Sequence, residues 1–278
     1  MNRSDKRESK YELTQDAVDF FYSDAARGIR LQVDYEKAEV RIKEAGIEYT
    51  IVVFGSARIK PSDVALEEIK RIESALESNA LDTSLLQELE QAKKALHQSL
   101  YYEEARKFGQ LVGKSGHGPD DCHVTLVTGG GPGIMEAANR GAHDVGAKSI
   151  GLNIKLPHEQ RPNPYITPEL SFNFHYFGIR KLHFMQRAKA LVVFPGGFGT
   201  LDELFDILTL VQTGKNPHIP IVLVSRYYWD NVLNFAFLAE EGVISKEDLS
   251  LFMYAENAQE AWDTIMNWHT QRGTPLFT

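Results

Sequence analysis

The sequence predicts an α/β fold with a doubly wound parallel sheet, and three observations carry that expectation. Short apolar runs alternate with stretches of helical periodicity from about residue 48 to the end of the 278-residue chain. Two of those runs pass through glycine-rich turns straight into helices, at residues 128–133 and 195–199. A chain that returns to one sheet through helices makes right-handed crossovers, so such a series gives parallel strands covered on both faces.

The chain is organised around residues 191–215, LVVFPGGFGTLDELFDILTLVQTGK. Leu191, Val192, Val193 and Phe194 form an apolar run too short for a helix and bounded by Pro-Gly-Gly, which reads as a buried strand. Leu201, Leu204, Phe205, Leu208 and Val211 then recur at helical spacing, and Gly214 with Lys215 supplies a stop. Gly196, Gly197 and Gly199 let the backbone approach a ligand, and the first N–H groups of the helix lack internal partners, so the unit suits phosphate. One helix terminus contributes only about 0.3 to 1 kcal/mol when exposed, so binding needs several N–H groups and a hydroxyl, for which Thr200 is placed. Thr200 and Glu203 also read as T-x-x-E, a capping box that satisfies only the helix itself, and both readings stay open at this level.

Composition narrows the classes. A hydrophobic content of 43% over this length supports a sizeable core in one large domain or two small ones. No apolar run is long enough for a membrane span and the first sixteen residues are too polar for a secretory signal, so a cytoplasmic location without a membrane partner is expected. The single cysteine, Cys122, excludes an intrachain disulfide and reads as structural. A net charge of -8 argues against a nucleic-acid surface, and the nine histidines show no zinc-type spacing, so no metal is expected.

In chain order, residues 1–12 are charged and expected to be mobile. Residues 17–45 read as a pair of helices broken near Gly28, covering the core or a partner subunit. EYTIVVF, residues 48–54, is the first core strand and opens into Gly55 and Ser56, which serve either a ligand or a tight turn. Residues 61–99 carry a thin apolar stripe and read as a helical hairpin inserted before a helix at 101–112. Gly113-Lys114-Ser115 is not a phosphate-binding P-loop, because the position five before Gly113 is Phe108. A strand at 123–127 leads into the second glycine turn and the helix beyond it. Its register does not fit G-x-G-x-x-G, and the strand at 149–154 is followed by Lys155 rather than an acid, so a dinucleotide cofactor is a poor fit and none is expected. Residues 156–177, rich in proline and aromatics, read as a long loop that either holds a base or ribose or merely packs. A helix at 178–189 places Arg180 and Lys181 at its start, where the helix dipole disfavours cations. The remainder reads as a strand at 220–224, a helix at 229–240, a short strand near 251–254 and a helix at 257–269.

PGGFGTLDE (195–203) resembles the PGGxGTxxE signature, and GGGPGIMEAANRGA (129–142) the GGGxxGxM segment, of the Lonely Guy (LOG) family, whose members are nucleoside 5'-monophosphate phosphoribohydrolases often mislabelled lysine decarboxylases. The likeness runs from about Tyr49 onward apart from the insertion, and the N-terminal helices and LNIKLPHEQRPNPY resemble the longer, type II branch. The resemblance implies a Rossmann-like domain over 46–278 with a helical insertion at 61–99, after an N-terminal helical extension at 1–45. It implies Arg180 and Glu203 as catalytic residues, and Gly196, Gly197, Gly199 and Thr200 as the 5'-phosphate site. Gly55, Ser56, Gly130, Gly131, Gly133, Met135, Glu136, Asn153 and Lys181 complete the expected substrate contacts. The implied reaction is hydrolysis of AMP or a cytokinin riboside 5'-monophosphate to free base and ribose 5-phosphate, in a homo-oligomer. A nucleotide or pterin carrier resembling molybdenum-cofactor carriers is the alternative.

Overall fold

The computed structural model describes residues 14–79, 81–115, 123–155, 161–274 and 276. The expectations for residues 1–12, for Cys122 and for the start of the long loop, 156–160, lie outside them.

Among the described residues, seven strands form one parallel sheet: β1 (Tyr49–Phe54), β2 (Val124–Thr128), β3 (Ser149–Ile154), β4 (Ser171–Phe174), β5 (Ala188–Val193), β6 (Ile221–Val224) and β7 (Met253–Ala255). Their order is β4-β3-β2-β1-β5-β6-β7, so the winding reverses between β1 and β5 and leaves a crevice beyond the C-terminal ends of that pair. The fold is therefore Rossmann-like. Both faces are buried, which is why the strands read as continuous apolar runs. On one face Ile51 and Val53 of β1 share a core with Tyr102, Phe108, Ala137 and Ile265, from α4 (Thr83–Gly113), α5 (Ile134–Asp144) and α10 (Ala258–Gln271). On the other, Val52 and Phe54 meet Ile42, Phe184, Leu204 and Ile207, from α2 (Arg27–Glu44), α6 (Phe177–Gln186) and α7 (Phe198–Gln212).

Several elements depart from the sequence reading, each for a local reason. The N-terminal helices break at Ser23, between α1 (Gln15–Tyr22) and a 3-10 turn, whereas Gly28 sits in the first turn of α2. The inserted hairpin is α3 (Ser62–Ser78) packed on the first half of α4 through Ile69, Ile72, Ala92 and Leu89. Its second arm does not end at residue 99: α4 runs 31 residues without interruption, because no proline or glycine intervenes before Gly109, and the Ser99 hydroxyl satisfies itself on the Leu96 carbonyl at 2.6 Å inside the helix. Gly113 closes α4 against Val145 and Ala147, a packing role that explains the false P-loop resemblance. The long loop holds an edge strand, β4, whose alternate Phe172 and Phe174 are buried. The helix before β5 ends at Gln186, and the one after β6 is two: α8 (Arg226–Val232) and α9 (Phe235–Glu240), the second capped by Asn234 accepting from the Phe237 amide. Among the described residues no helix is long and apolar enough to cross a membrane.

Candidate active site

Three turns meet at the crevice. The Ser56 amide donates to the Pro195 carbonyl at 3.0 Å, and the Ile134 amide donates to the Ser56 carbonyl at 3.0 Å, so the turn after β1 is stapled to both glycine turns. Gly130 and Gly133 adopt φ of 73° and 72°, and a side chain there would run into Asn153 and into the Ser56–Ala57 backbone respectively. Beneath this turn lies a buried polar net. The Thr128 hydroxyl donates to Asn139 at 2.7 Å, while the Asn163 amide group donates to the Gly130 and Gly131 carbonyls at 3.2 and 3.1 Å.

The resulting cleft has a volume of 780 Å³, and its lining includes Gly55, Ser56, Gly196, Thr200 and Glu203, together with Arg58, Gln98 and Tyr228. A smaller hollow of 280 Å³, lined by Gly131, Asn153 and Phe177, joins it through Met135, Arg180 and Gly199. Helix α7 begins with Gly197 as its N-cap and has no side-chain cap, so Thr200 and Glu203 do not form a capping box. Thr200 is the third residue inside the helix, its hydroxyl against Gly196, and Glu203 follows one turn later. Among the described residues, the amides of Gly197, Phe198 and Gly199 donate to no main-chain acceptor. The Tyr228 hydroxyl donates to the Gly196 carbonyl at 2.6 Å, which fixes the plane of the Gly196–Gly197 peptide and hence the direction of its N–H.

The charges sit on the other wall. Arg180, on α6, donates through Nε to the Leu152 carbonyl at 2.7 Å and lies 5.1 Å over the Phe184 ring. Its Nη1 approaches Glu203 Oε1 to 4.0 Å, a charge contact rather than a hydrogen bond. Burial lowers the Arg180 guanidinium below its ordinary value against the pull of Glu203 and Asp202. Burial raises the Glu203 carboxyl, and the nearby Lys181 and Arg180 offset that only in part. Lys181, an expected substrate contact, lines neither hollow and is engaged instead by Asp202 at 2.9 Å and Asp206 at 3.7 Å. Burial depresses its ammonium, but the Asp202 hydrogen bond with the charges of Glu203, Asp206 and Asp202 raises it overall.

Most of the expected site residues thus come together. Gly130 and Gly133 shape the turn rather than line the cleft, and Glu136 is drawn away, accepting from the Tyr102 hydroxyl on α4 at 2.9 Å. Gln98 and Tyr228 escaped the sequence reading because neither belongs to a glycine turn, and Arg58 because it ends the Gly55 turn, whose small residues alone were read as site. Asn163 lies in the long loop at 156–177, where no local pattern marks its hold on the glycine turn.

Doubly wound α/β chains of this kind bind anionic ligands at the crevice where the winding reverses, and here that crevice carries a helix N-terminus, a buried carboxylate and a guanidinium. A family profile described as "Possible lysine decarboxylase" matches residues 135–265. The chain is 31% identical over 141 residues to the probable cytokinin riboside 5'-monophosphate phosphoribohydrolase LOG4 of Oryza sativa subsp. japonica, covering 49% of this chain and 60% of that protein. It is 30% identical over 155 residues to the probable cytokinin riboside 5'-monophosphate phosphoribohydrolase LOGL3 of the same organism, covering 51% of this chain and 68% of that protein. The chain belongs to the LOG family. Among solved structures, a molybdenum cofactor binding protein from the phototrophic bacterium Rippkaea orientalis superposes with a TM-score of 0.43 at 16% identity, covering 79% of this chain and 95% of that one.

Proposed function

We propose that the protein hydrolyses the N-glycosidic bond of a nucleoside 5'-monophosphate, releasing the free base and ribose 5-phosphate. The observation that carries this reading is the placement of buried Glu203 one helical turn beyond the free amides of Gly197, Phe198 and Gly199. A 5'-phosphate on those amides and on Thr200 is held remote from the scissile bond, and the ribose extends along α7 toward the carboxylate. Cleavage builds positive charge on the ribose ring. Glu203, ionised, stabilises that charge or takes a proton from the attacking water, and its low-dielectric setting strengthens the first effect. Arg180, anchored to Leu152 and over Phe184, contributes a fixed positive charge beside the carboxylate. The relatives' names favour a cytokinin riboside monophosphate as substrate, and AMP remains the simplest ligand with the required phosphate and ribose.

Amine chemistry on a lysine fits less well. A Schiff-base lysine needs a depressed pKa, whereas Lys181, next to Arg180, is held high by Asp202 and its neighbours. The test is incubation of purified protein with AMP and adenosine, following base and ribose 5-phosphate by chromatography. Release from AMP but not adenosine supports the reading. Saturable nucleotide binding without release from either would replace it with a carrier.

A further inference from the structure

Helix α6 carries Arg180 and Lys181 close to its N-terminus, where the helix dipole repels cations. Its own N-cap residue, Tyr176, gives no side-chain cap. The carboxylate that serves this end comes instead from the N-terminal extension. Asp34 of α2, only 4% exposed, accepts from the His175 amide at 2.9 Å and the Tyr176 amide at 3.0 Å. Lys37 neutralises it at 2.6 Å and also donates to the Asn173 carbonyl, tying α2 to β4. Arg30 donates to the Tyr176 hydroxyl at 3.3 Å.

The same helix grips the far end of α6. Arg187, the C-cap residue, is held by both oxygens of Glu39 at 2.7 and 2.9 Å, and this pairing carries the Glu39 carboxyl down to about 2. Between the two ends, His183 Nε2 meets the Tyr35 carbonyl at 3.2 Å. Helix α2 therefore lies along α6 with a buried carboxylate at each terminus. Buried carboxylates that accept main-chain N–H groups are charge-assisted and directional, so they fix position as well as add stability. No part of Asp34 lines the cleft.

We propose that Asp34 is a positioning residue for catalysis: by holding the start of α6 it sets the Arg180 guanidinium against Leu152 and Glu203, and the N-terminal extension is the splint of the active site. This rests on the hydrolase reading for its kinetic consequence. A small displacement of a catalytic group is enough to cost orders of magnitude in rate, whereas the phosphate seat on α7 is untouched.

The experiment uses the full chain with Asp34→Ala and Asp34→Asn, each assayed well below its own melting temperature. It reads kcat and KM on AMP per folded molecule, together with hydrogen exchange of peptides covering 175–186 and 198–212. The expected result for Asp34→Ala is a fall in kcat of about tenfold or more, with KM within about twofold. Exchange should accelerate in α6 but not in α7. Asp34→Asn keeps an acceptor oxygen and should recover part of the rate, and it carries the test if the alanine variant does not fold. Unchanged kcat per folded molecule would overturn the proposal, as would loss of protection spread equally over α6 and α7. If the wild-type protein releases no base from any monophosphate, the hydrolase reading fails on that result alone, and the exchange data still decide whether Asp34 holds α6.

Discussion

Replacing Glu203 by glutamine keeps the shape of the side chain and removes one negative charge from a site that is 6% exposed. The proposed role is charge stabilisation of a cationic ribose. At a separation of about 4 Å and an effective dielectric of about 20, opposite unit charges attract by about 4 kcal/mol. Lost from the transition state, that amounts to about three decades in rate, so kcat on AMP should fall about 1,000-fold while nucleotide affinity changes little. Stability should move the other way. Burial raises the Glu203 carboxyl, so the folded chain binds its proton more tightly than the unfolded chain does. The associated stabilisation is fully present below the unfolded pKa, near pH 4, and is lost as the pH rises through the raised folded value. Glutamine is spared this penalty, so at pH 8 Glu203→Gln should melt no lower than the wild type. Single-turnover kinetics and thermal melts at pH 4 and pH 8 check both halves. Retention of more than about a tenth of wild-type kcat would refute the charge-stabilising role, and a large drop in melting temperature at pH 8 would refute the electrostatic account.

Further outcomes follow from the same geometry. Thr200→Ala should weaken binding of AMP and ribose 5-phosphate about tenfold with an unchanged melting temperature, because the hydroxyl caps nothing; calorimetric titration and a melt measure the two. Tyr228→Phe removes the bond to the Gly196 carbonyl, costing about 1 kcal/mol of stability by denaturant titration and, if the same energy is lost from the phosphate seat, about fivefold in Kd. Gly133→Ala forces a side chain into the Ser56–Ala57 backbone at positive φ and should yield little folded protein, visible as loss of soluble material on expression. Glu39, whose carboxyl lies at about 2, contributes stability above its unfolded value that is lost as the pH falls toward 2. Glu39→Gln should therefore cost about 3 kcal/mol at pH 7 and flatten the decline in stability between pH 5 and 2.

What the sequence disclosed, and what it hid, has physical causes. Strands buried on both faces, such as Leu191 to Val193, announce themselves as apolar runs, and glycines stand out wherever backbone approaches backbone. The alternation of Phe172 and Phe174 was present in the sequence, but four residues among prolines do not outweigh a loop reading. The two meanings of Thr200 and Glu203 were separable only by the helix start, which geometry puts at Gly197. Arg58, Gln98 and Tyr228 reach the cleft from three different elements, and Asp34 acts across 141 residues on His175, distances over which local pattern is silent. Glu136 had the motif position but not the direction, since Tyr102 on the long α4 captures it.

In the proposed reaction, phosphate sits on the start of α7 and places the anomeric carbon before Glu203. A crystal structure with ribose 5-phosphate tests it most directly. Phosphate oxygens are expected on the amides of Gly197 to Gly199 and on the Thr200 hydroxyl, with C1 of the sugar facing the Glu203 carboxylate. Phosphate seated instead on the turn of residues 129–133, with C1 turned away from Glu203, would contradict it.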